Sequence, residues 1–312
     1  MKKLVIQIPC FNEEETLPFV INDLKMMIES TDCEVCKNAD IQIIDDGSSD
    51  NTSNTAKSLG IKRIYRKDIN IGLARSFRRG AEMAVQDGYD ILVNLDGDNQ
   101  YNAFDVPLLV KNHLENGSNI VVGCRPILSH TEFSLLKKIL QIIGSAALRF
   151  ISNTKVRDAA SGFRLYDYNY LTKMRIHTTF SYCIETLIDA GSKGFKISSV
   201  NISVNKATRE SRLFKTKTEY IKKQLYTMIL VFSMHQPLKF YSMVASPFII
   251  ISLTLMLRFI LKVYFLTDDQ SRTHLPSLII GSLSFTTGLL IILIGVLAEV
   301  LKLTRESGYK NW

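Results

Sequence analysis

The sequence predicts an α/β fold, a mainly parallel sheet with helices on both faces, leading into two membrane-spanning helices near its C-terminal end. Three observations carry this expectation. Short apolar runs in the N-terminal part alternate with helix-like stretches, the pattern of parallel strands joined by crossover helices. Each run closes on a polar turn, and in such sheets these turns gather outside the strands' carboxyl ends, where ligands bind. Residues 241–266 and 276–301 are long apolar stretches, each exceeding the roughly 20 residues that cross a hydrocarbon core.

The elements follow in order. Residues 3–9 are a short apolar run closed by Pro9, and 10–17 read as a loop opening a helix, with Glu13, Glu14 and Glu15 near its start, where acids favour the helix dipole. Residues 41–44 run into Asp45-Asp46-Gly47-Ser48-Ser49-Asp50-Asn51-Thr52, again strand, acidic turn and helix start. Helix capping is an alternative role for Asp45 and Asp50, and for Asp50 the preferred one. A third strand, 61–66, leads to Asn70-Ile71-Gly72-Leu73-Ala74 and a helix ending near Gly88. The fourth, beginning at Ile91, ends in Asp96-Gly97-Asp98-Asn99-Gln100-Tyr101.

That fourth turn carries the chemistry. Two carboxylates one residue apart at the end of a strand can aim oxygens at one point, and Gly97 between them lets the backbone come close to a ligand. Hard oxygen donors of this kind suit Mg²⁺ or Mn²⁺, with open positions left for diphosphate oxygens. An isolated Asp-x-Asp is ordinarily a solvated turn. The other polar turns on the same sheet edge raise this one above that reading.

Pro9-x-Phe11-Asn12-Glu13, Asp45-Asp46-Gly47-Ser48-x-Asp50, Gly72 with Gly80, Asp96-Gly97-Asp98-x-Gln100 and Ser161-Gly162-Phe163-Arg164 stand in an order and spacing that resembles family 2 glycosyltransferases of the GT-A (Rossmann-like) fold. The likeness spans roughly residues 3 to 225 and is nearest to the polyprenyl-phosphate subgroup, which includes dolichol-phosphate mannose synthase and bacterial undecaprenyl-phosphate sugar transferases. Phe11 replaces the more usual Tyr and Gly97 the more usual Ala, without loss of a charge. The resemblance implies that Asp96, Asp98 and Gln100 hold the divalent ion against the diphosphate of a nucleotide sugar. It implies that Asp45 and Asp46 accept hydrogen bonds from the base, as acceptor-only carboxylates can. Pro9, Phe11 and Glu13 would shape the nucleoside pocket, with Gly72 in the same nucleotide-binding set.

Cations supply the acceptor side. Arg125, after the apolar run 119–123, and Arg164, after Ser161-Gly162-Phe163, stand at strand or loop ends where an anion would lie. Residues 206–217 resemble the basic loop that follows the last strand in this family, and Arg209 and Arg212, flanking Ser211, are its candidates for phosphate binding, since guanidinium grips phosphate bidentately. Lys215, Lys217, Lys222 and Lys223 are read as a solvated or membrane-facing surface. Catalysis is therefore assigned to Asp98, Arg125, Arg164, Arg209 and Arg212.

With 312 residues, 46% of them hydrophobic, and a formal net charge of +8, the chain has room for one sizeable α/β domain and an appendage. The expected organisation is a catalytic domain over 1–212, a basic amphipathic juxtamembrane helix over 213–240, a two-helix hairpin over 241–302 and a tail over 303–312. Arg258 and Lys262 snorkel toward the far interface, and Glu299 sits at the near one. Segment 201–240 carries eight cations against two carboxylates, and the tail is also basic. Basic flanks belong inside, so the catalytic domain and C-terminus are expected on the cytoplasmic face of the inner membrane, with the acidic linker 267–275 outside. No cleavable leader precedes the first strand. Residues 131–152 form an amphipathic stretch that fits a helix lying on the membrane interface or, alternatively, one facing the core. Five scattered cysteines and five histidines lack metal-ligand spacing, so structural zinc is not expected.

The expected activity is metal-dependent sugar transfer from a nucleotide-diphosphate sugar to a polyprenyl phosphate, inverting by family implication, with no nucleic-acid partner and self-association left open. A lipid phosphate is already anionic and needs no strong general base, so cations must instead hold two negative groups together. The rival is transfer to a saccharide hydroxyl, for which Asp158 or Glu185 could serve as base. A non-catalytic scaffold built on a decayed transferase domain is opposed by the intact Asp96, Asp98 and Arg164.

Overall fold

The structure, a computed structural model, describes residues 2–126, 156–176, 182–205, 217–264 and 275–308, with Ala146, Arg149 and Thr154. The expected helix at 131–152, the basic loop with Arg209 and Arg212, and most of the linker 267–275 lie outside the described residues. The chain divides into two compact units, Met1–Met228 and Ile229–Trp312.

The first unit is built on a seven-stranded sheet: β1 (Leu4–Cys10), β2 (Asp40–Asp45), β3 (Arg63–Arg66), β4 (Ile91–Asn94), β5 (Ile120–Cys124), β6 (Arg164–Asp167) and β7 (Ile197–Asn201). Their spatial order is β3-β2-β1-β4-β6-β5-β7. Only β6 runs antiparallel to its neighbours, β4 and β5. The helices of this unit are α1 (Leu17–Ser30), α2 (Glu34–Lys37), α3 (Thr52–Ser58), α4 (Leu73–Gln86), α5 (Val106–Asn116), α6 (Tyr168–Leu171) and α7 (Tyr182–Ser192). Then α8 (Lys217–His235) begins.

Strand β1 is buried along its whole length, which is why it reads as a nearly unbroken apolar run. Its even positions Leu4, Ile6 and Ile8 join Leu17, Ile21 and Leu24 of α1 and Val106, Leu109 and Val110 of α5 in one core. The opposite face is partly polar. Beneath α4, Gln42 Nε2 donates to Gln7 Oε1 (2.8 Å), and Gln7 Nε2 donates to Asn94 Oδ1 (3.2 Å) and the Phe77 carbonyl (3.2 Å). This amide ladder joins three strands and satisfies groups that burial would otherwise penalise. Helix α4 approaches it closely at Gly80, where a Cβ would lie 2.7 Å from Gln7 Cδ and 2.8 Å from Ile44 Cδ1. Gly80→Ala is therefore expected to destabilise the protein by about 1–3 kcal/mol through overpacking, read as a lowered melting temperature.

In the second unit α9 (Pro237–Tyr264) and α10 (Leu275–Gly308) are long and apolar enough to cross a membrane, with windows of mean hydropathy 2.1 and 2.2 of which only 11% and 17% are buried. That exposure separates them from core helices of a soluble protein. Pro237 starts α9 at a position that suits proline, so the helix begins before the expected residue 241. At the other end α10 continues to Gly308 through the expected tail, where the Thr304 hydroxyl bonds the Val300 carbonyl and Lys302 pairs with Glu299. Glu299 Oε2 also accepts from the Leu238 N–H (3.4 Å), meeting an otherwise unpaired donor of the first turn of α9. Gly281, Gly288 and Gly295 lie on the seam, where added Cβ atoms would meet Leu255 at 3.4 Å, Ile249 at 2.6 Å and Tyr241 at 2.8 Å.

Candidate active site

The polar turns that follow β1, β2 and β4 converge at the carboxyl edge of the sheet. After β1, Asn12 adopts φ +56° and its side-chain oxygen accepts from Ser49 N (2.8 Å), while Asn12 N donates to Ser48 Oγ and Glu13 N to Thr52 Oγ1 (both 2.9 Å). The first loop is thus laced to the second. Thr16 Oγ1 lies 2.6 Å from Glu13 Oε2 and 2.8 Å from the Gly97 carbonyl, which ties the first loop to the acidic turn. Pro9 is buried within β1, and Phe11 projects with 45% of its surface exposed, an open apolar face.

Asp45 and Asp46 take different parts. Asp45 is the last residue of β2 and fully buried; its oxygens accept from Ser48 N (2.8 Å) and the Ser53 hydroxyl, with Arg66 Nε at 3.9 Å. The base contact expected of Asp45 is not supported, because its carboxylate is turned inward onto its own turn and helix. Asp46 reaches across to the loop before α4, its two oxygens accepting from Ile71 N and Gly72 N at 2.9 Å each. Gly72 sits at φ +92°, a conformation that favours glycine, and it presents its N–H to Asp46. Asp50, one residue before the N-cap position Asn51, accepts from Thr52 N and the Thr52 hydroxyl at the start of α3. Burial would raise the Asp50 carboxyl, but these bonds and one from Glu14 N hold it below its ordinary value.

Asp96 differs from the others. Its Oδ1 is buried and accepts no hydrogen bond among the described residues. Burial raises the carboxyl to about 7; Asp98 and Glu13 push the same way, against the opposing fields of Arg125 and Arg164. The Cys10 thiol at the end of β1 registers the same surroundings: burial pushes it well up, and the charges of Glu13, Asp45, Asp50 and Asp96 add to this. Gln100 N donates to Asp98 Oδ1 (3.1 Å), and the Gln100 carbonyl accepts from Asn205 N (2.9 Å), so the turn that carries Asp98 and Gln100 is fixed at both ends. No cluster of three His, Cys, Asp or Glu able to hold a metal occurs among the described residues. The donor set expected from the sequence is two carboxylates and an amide. An uncompensated buried carboxylate oxygen among hard donors fits a divalent cation whose remaining positions are filled by a ligand.

The expected acceptor cations fare differently. Arg164 is fully buried, donating from Nε to the Ser161 carbonyl (2.8 Å), from Nη1 to the Cys183 carbonyl (2.7 Å) and Thr186 Oγ1 (3.0 Å), and from Nη2 to the Ala159 carbonyl (2.8 Å). This corrects the expectation of an anion-binding group at a loop end: Arg164 opens β6 with its side chain directed into the core, where it organises residues 159–164. Arg125 is fixed to buried Asp158, Nε to Oδ2 at 2.7 Å and Nη2 to Oδ1 at 3.1 Å. The same contact occupies Asp158, and Glu185 is buried within α7. Neither carboxylate stands open as a base for an entering hydroxyl. Sequence reading missed Asn94, Tyr101 and Tyr182, which bond to Gly162; a lone Asn closing an otherwise apolar strand was the one available signal.

Known proteins share this frame. A polyprenol monophosphomannose synthase of Mycolicibacterium smegmatis is 22% identical over 236 residues, covering 72% of this chain and 85% of that protein. An undecaprenyl-phosphate mannosyltransferase of Micrococcus luteus is 24% identical over 172 residues, covering 53% and 66%. Among solved structures, glucosyl-3-phosphoglycerate synthase of Mycobacterium tuberculosis, in complex with Mn²⁺, uridine diphosphate and glucosyl-3-phosphoglycerate, superposes with a TM-score of 0.57 at 19% identity, covering 75% of this chain and 80% of that one. The same enzyme was also crystallised with Mg²⁺ and uridine diphosphate. At this identity the structural likeness is one of fold, the GT-A arrangement of a mostly parallel sheet between helices. Residues 5–175, more than half of the chain, match Glycosyl transferase family 2, and the chain belongs to that family of glycosyltransferases.

Proposed function

We propose that this glycosyltransferase moves a sugar from a nucleotide-diphosphate sugar to the phosphate of a polyprenyl lipid at the cytoplasmic face of a membrane, with inversion at the anomeric carbon. The observation that carries the donor half is the buried Oδ1 of Asp96, unbonded among the described residues, at the carboxyl edge of a family 2 sheet. Asp96, Asp98 and Gln100 would hold Mg²⁺ or Mn²⁺, which when bound neutralises charge developing on the departing diphosphate. Phe11 offers the nucleoside a flat apolar face, whereas Pro9, buried within β1, shapes the pocket only through the backbone. Asp46 keeps lone pairs for a base N–H beyond the two it spends on Ile71 and Gly72, since an ionised carboxylate has about four acceptor sites.

For the acceptor, a phosphate oxygen attacks as an anion and needs no proton removed. This agrees with the burial of Asp158 and Glu185, either of which could have served a hydroxyl acceptor as general base. Arg125 contributes a positive field beside Asp96, and Arg209 and Arg212 are the residues proposed to grip the lipid phosphate. The names of the mycobacterial and micrococcal relatives, and two helices long enough to cross a membrane, support a lipid-linked acceptor. The basic segment 201–240 supports the cytoplasmic orientation.

Membranes containing the full chain, supplied with radiolabelled nucleotide sugars and polyprenyl phosphate, are expected to place label in an organic-extractable, mild-acid-labile lipid. EDTA should abolish the transfer and Mn²⁺ restore it. Label appearing only in water-soluble saccharide, independent of added lipid phosphate, would refute the proposal.

A further inference from the structure

We propose that Tyr101, Asn94 and Tyr182 act as positioning residues, clamping the Gly162 backbone against Asp96 so that this carboxylate is held for a cation rather than satisfied by a hydrogen-bond donor. The inference deepens the metal-site reading above and rests on it. Gly162 N donates to Tyr101 Oη at 2.9 Å. The Gly162 carbonyl lies 3.2 Å from both Asn94 Nδ2 and Tyr182 Oη. The N–H and the carbonyl on either side of Gly162 Cα, which belong to two successive peptide units, are therefore both held, and all three clamping side chains are buried.

The held glycine lies directly against the acid. A Cβ on Gly162 would fall 2.6 Å from Asp96 Oδ2 and 3.0 Å from Oδ1, so any side chain there would displace the carboxylate or the loop. The clamp also decides where donors point. The Gly162 N–H turns to a phenol oxygen, and Asn94 Nδ2 and Tyr182 Oη both lie at the Gly162 carbonyl. Asp96 Oδ1 is left without a hydrogen bond among the described residues. A buried carboxylate satisfied by neutral donors would have less to gain from a cation, whereas an unsatisfied one regains its lost solvation by binding it.

The clamp has support on two sides. Asn94 is fixed by the Gln7 amide, which Gln42 holds in turn, and the flanking carbonyls of Ala159 and Ser161 are drawn in by Arg164. Groups that orient metal ligands from behind typically alter metal affinity 10–100-fold when removed.

The test uses the full chain in detergent micelles and Mn²⁺ alone as the probe, with free Mn²⁺ followed by electron paramagnetic resonance and melting temperature measured in EDTA. Tyr101→Phe frees a buried N–H beside Asp96 and is expected to weaken Mn²⁺ binding about 10–100-fold while the melting temperature in EDTA shifts little. Tyr182→Phe, which leaves Asn94 on the carbonyl, should cost less. Gly162→Ala should abolish measurable binding; if it fails to fold, Tyr101→Phe decides. Wild-type affinity in folded Tyr101→Phe would overturn the clamp and leave the metal-site reading intact. Failure of the wild type to take up Mn²⁺ would overturn both.

Discussion

Asp96→Asn is expected to reduce sugar transfer by about a thousandfold, equivalent to about 4 kcal/mol of transition-state stabilisation, and at the same time to make the ligand-free protein more stable. The two effects share one cause. Burial, with Asp98 and Glu13 nearby, raises the Asp96 carboxyl to about 7, whereas in the unfolded chain it titrates near 4. Below about pH 4 both states are protonated and Asp96 costs nothing. As pH rises from there to about 7 only the unfolded state ionises, so folded stability falls across this window and levels off above it, by a few kcal/mol in total. Asparagine, which carries no charge to desolvate, removes that slope. Melting temperatures in EDTA between pH 4 and 8, compared for wild type and Asp96→Asn, check the sign.

A metal ion reverses the balance, because it binds only the ionised acid and must displace the proton below pH 7. At subsaturating Mn²⁺, turnover is therefore expected to fall as pH drops from 7 to 6, and excess Mn²⁺ should recover it. A profile unaffected by metal concentration would place the limiting titration elsewhere. The Asp98 charge acts directly on the Asp96 carboxyl, so the profile belongs to the pair rather than to either residue.

Arg164→Ala is expected to cost stability rather than acceptor affinity. It would strip donors from the carbonyls of Ala159, Ser161 and Cys183 in a fully buried place and leave a cavity the size of the side chain. Losses of this kind run to about 3–5 kcal/mol, or about 10 °C in melting temperature for a unit of this size. Arg164→Lys keeps the charge but not the planar fork that serves several carbonyls at once, so it should remain destabilised. A lysine variant that melts like wild type yet shows a raised KM for lipid phosphate would return Arg164 to the acceptor site.

What the sequence makes legible is what local pattern specifies. Strands ending in polar turns announce themselves by apolar runs and by Pro, Gly and Asp at their ends, and the long helices by their length. Strand β6 does not: its four residues, Arg-Leu-Tyr-Asp, carry a charge at each end, and its partners β4 and β5 lie far away along the chain. Arg164 is misread for the same reason, since a strand-end arginine looks alike whether it points to water or to a ring of carbonyls. Asp45 and Asp46 are adjacent, yet the first closes the strand facing inward and the second begins the turn. Register separates them, and register depends on pairing across the sheet. Asp96 and Asp98 are legible as a pair because their spacing is local, but the buried phenols and amides behind them come from β4, from the turn after it and from α7, and no local pattern joins those.

The three glycines of α10 bear on how the helical hairpin finds its alignment. Gly281, Gly288 and Gly295 recur every seven residues and meet Leu255, Ile249 and Tyr241 in turn, so the groove they make repeats under a slide of two helical turns. Close approach of backbones supplies attraction in lipid, but a periodic groove is nearly indifferent to such a slide. A side chain at a single height can break the degeneracy, and Glu299, bonded to the Leu238 N–H at the start of α9, stands at one height only. This one carboxylate thus acts as a vernier mark for a pair of largely apolar rods.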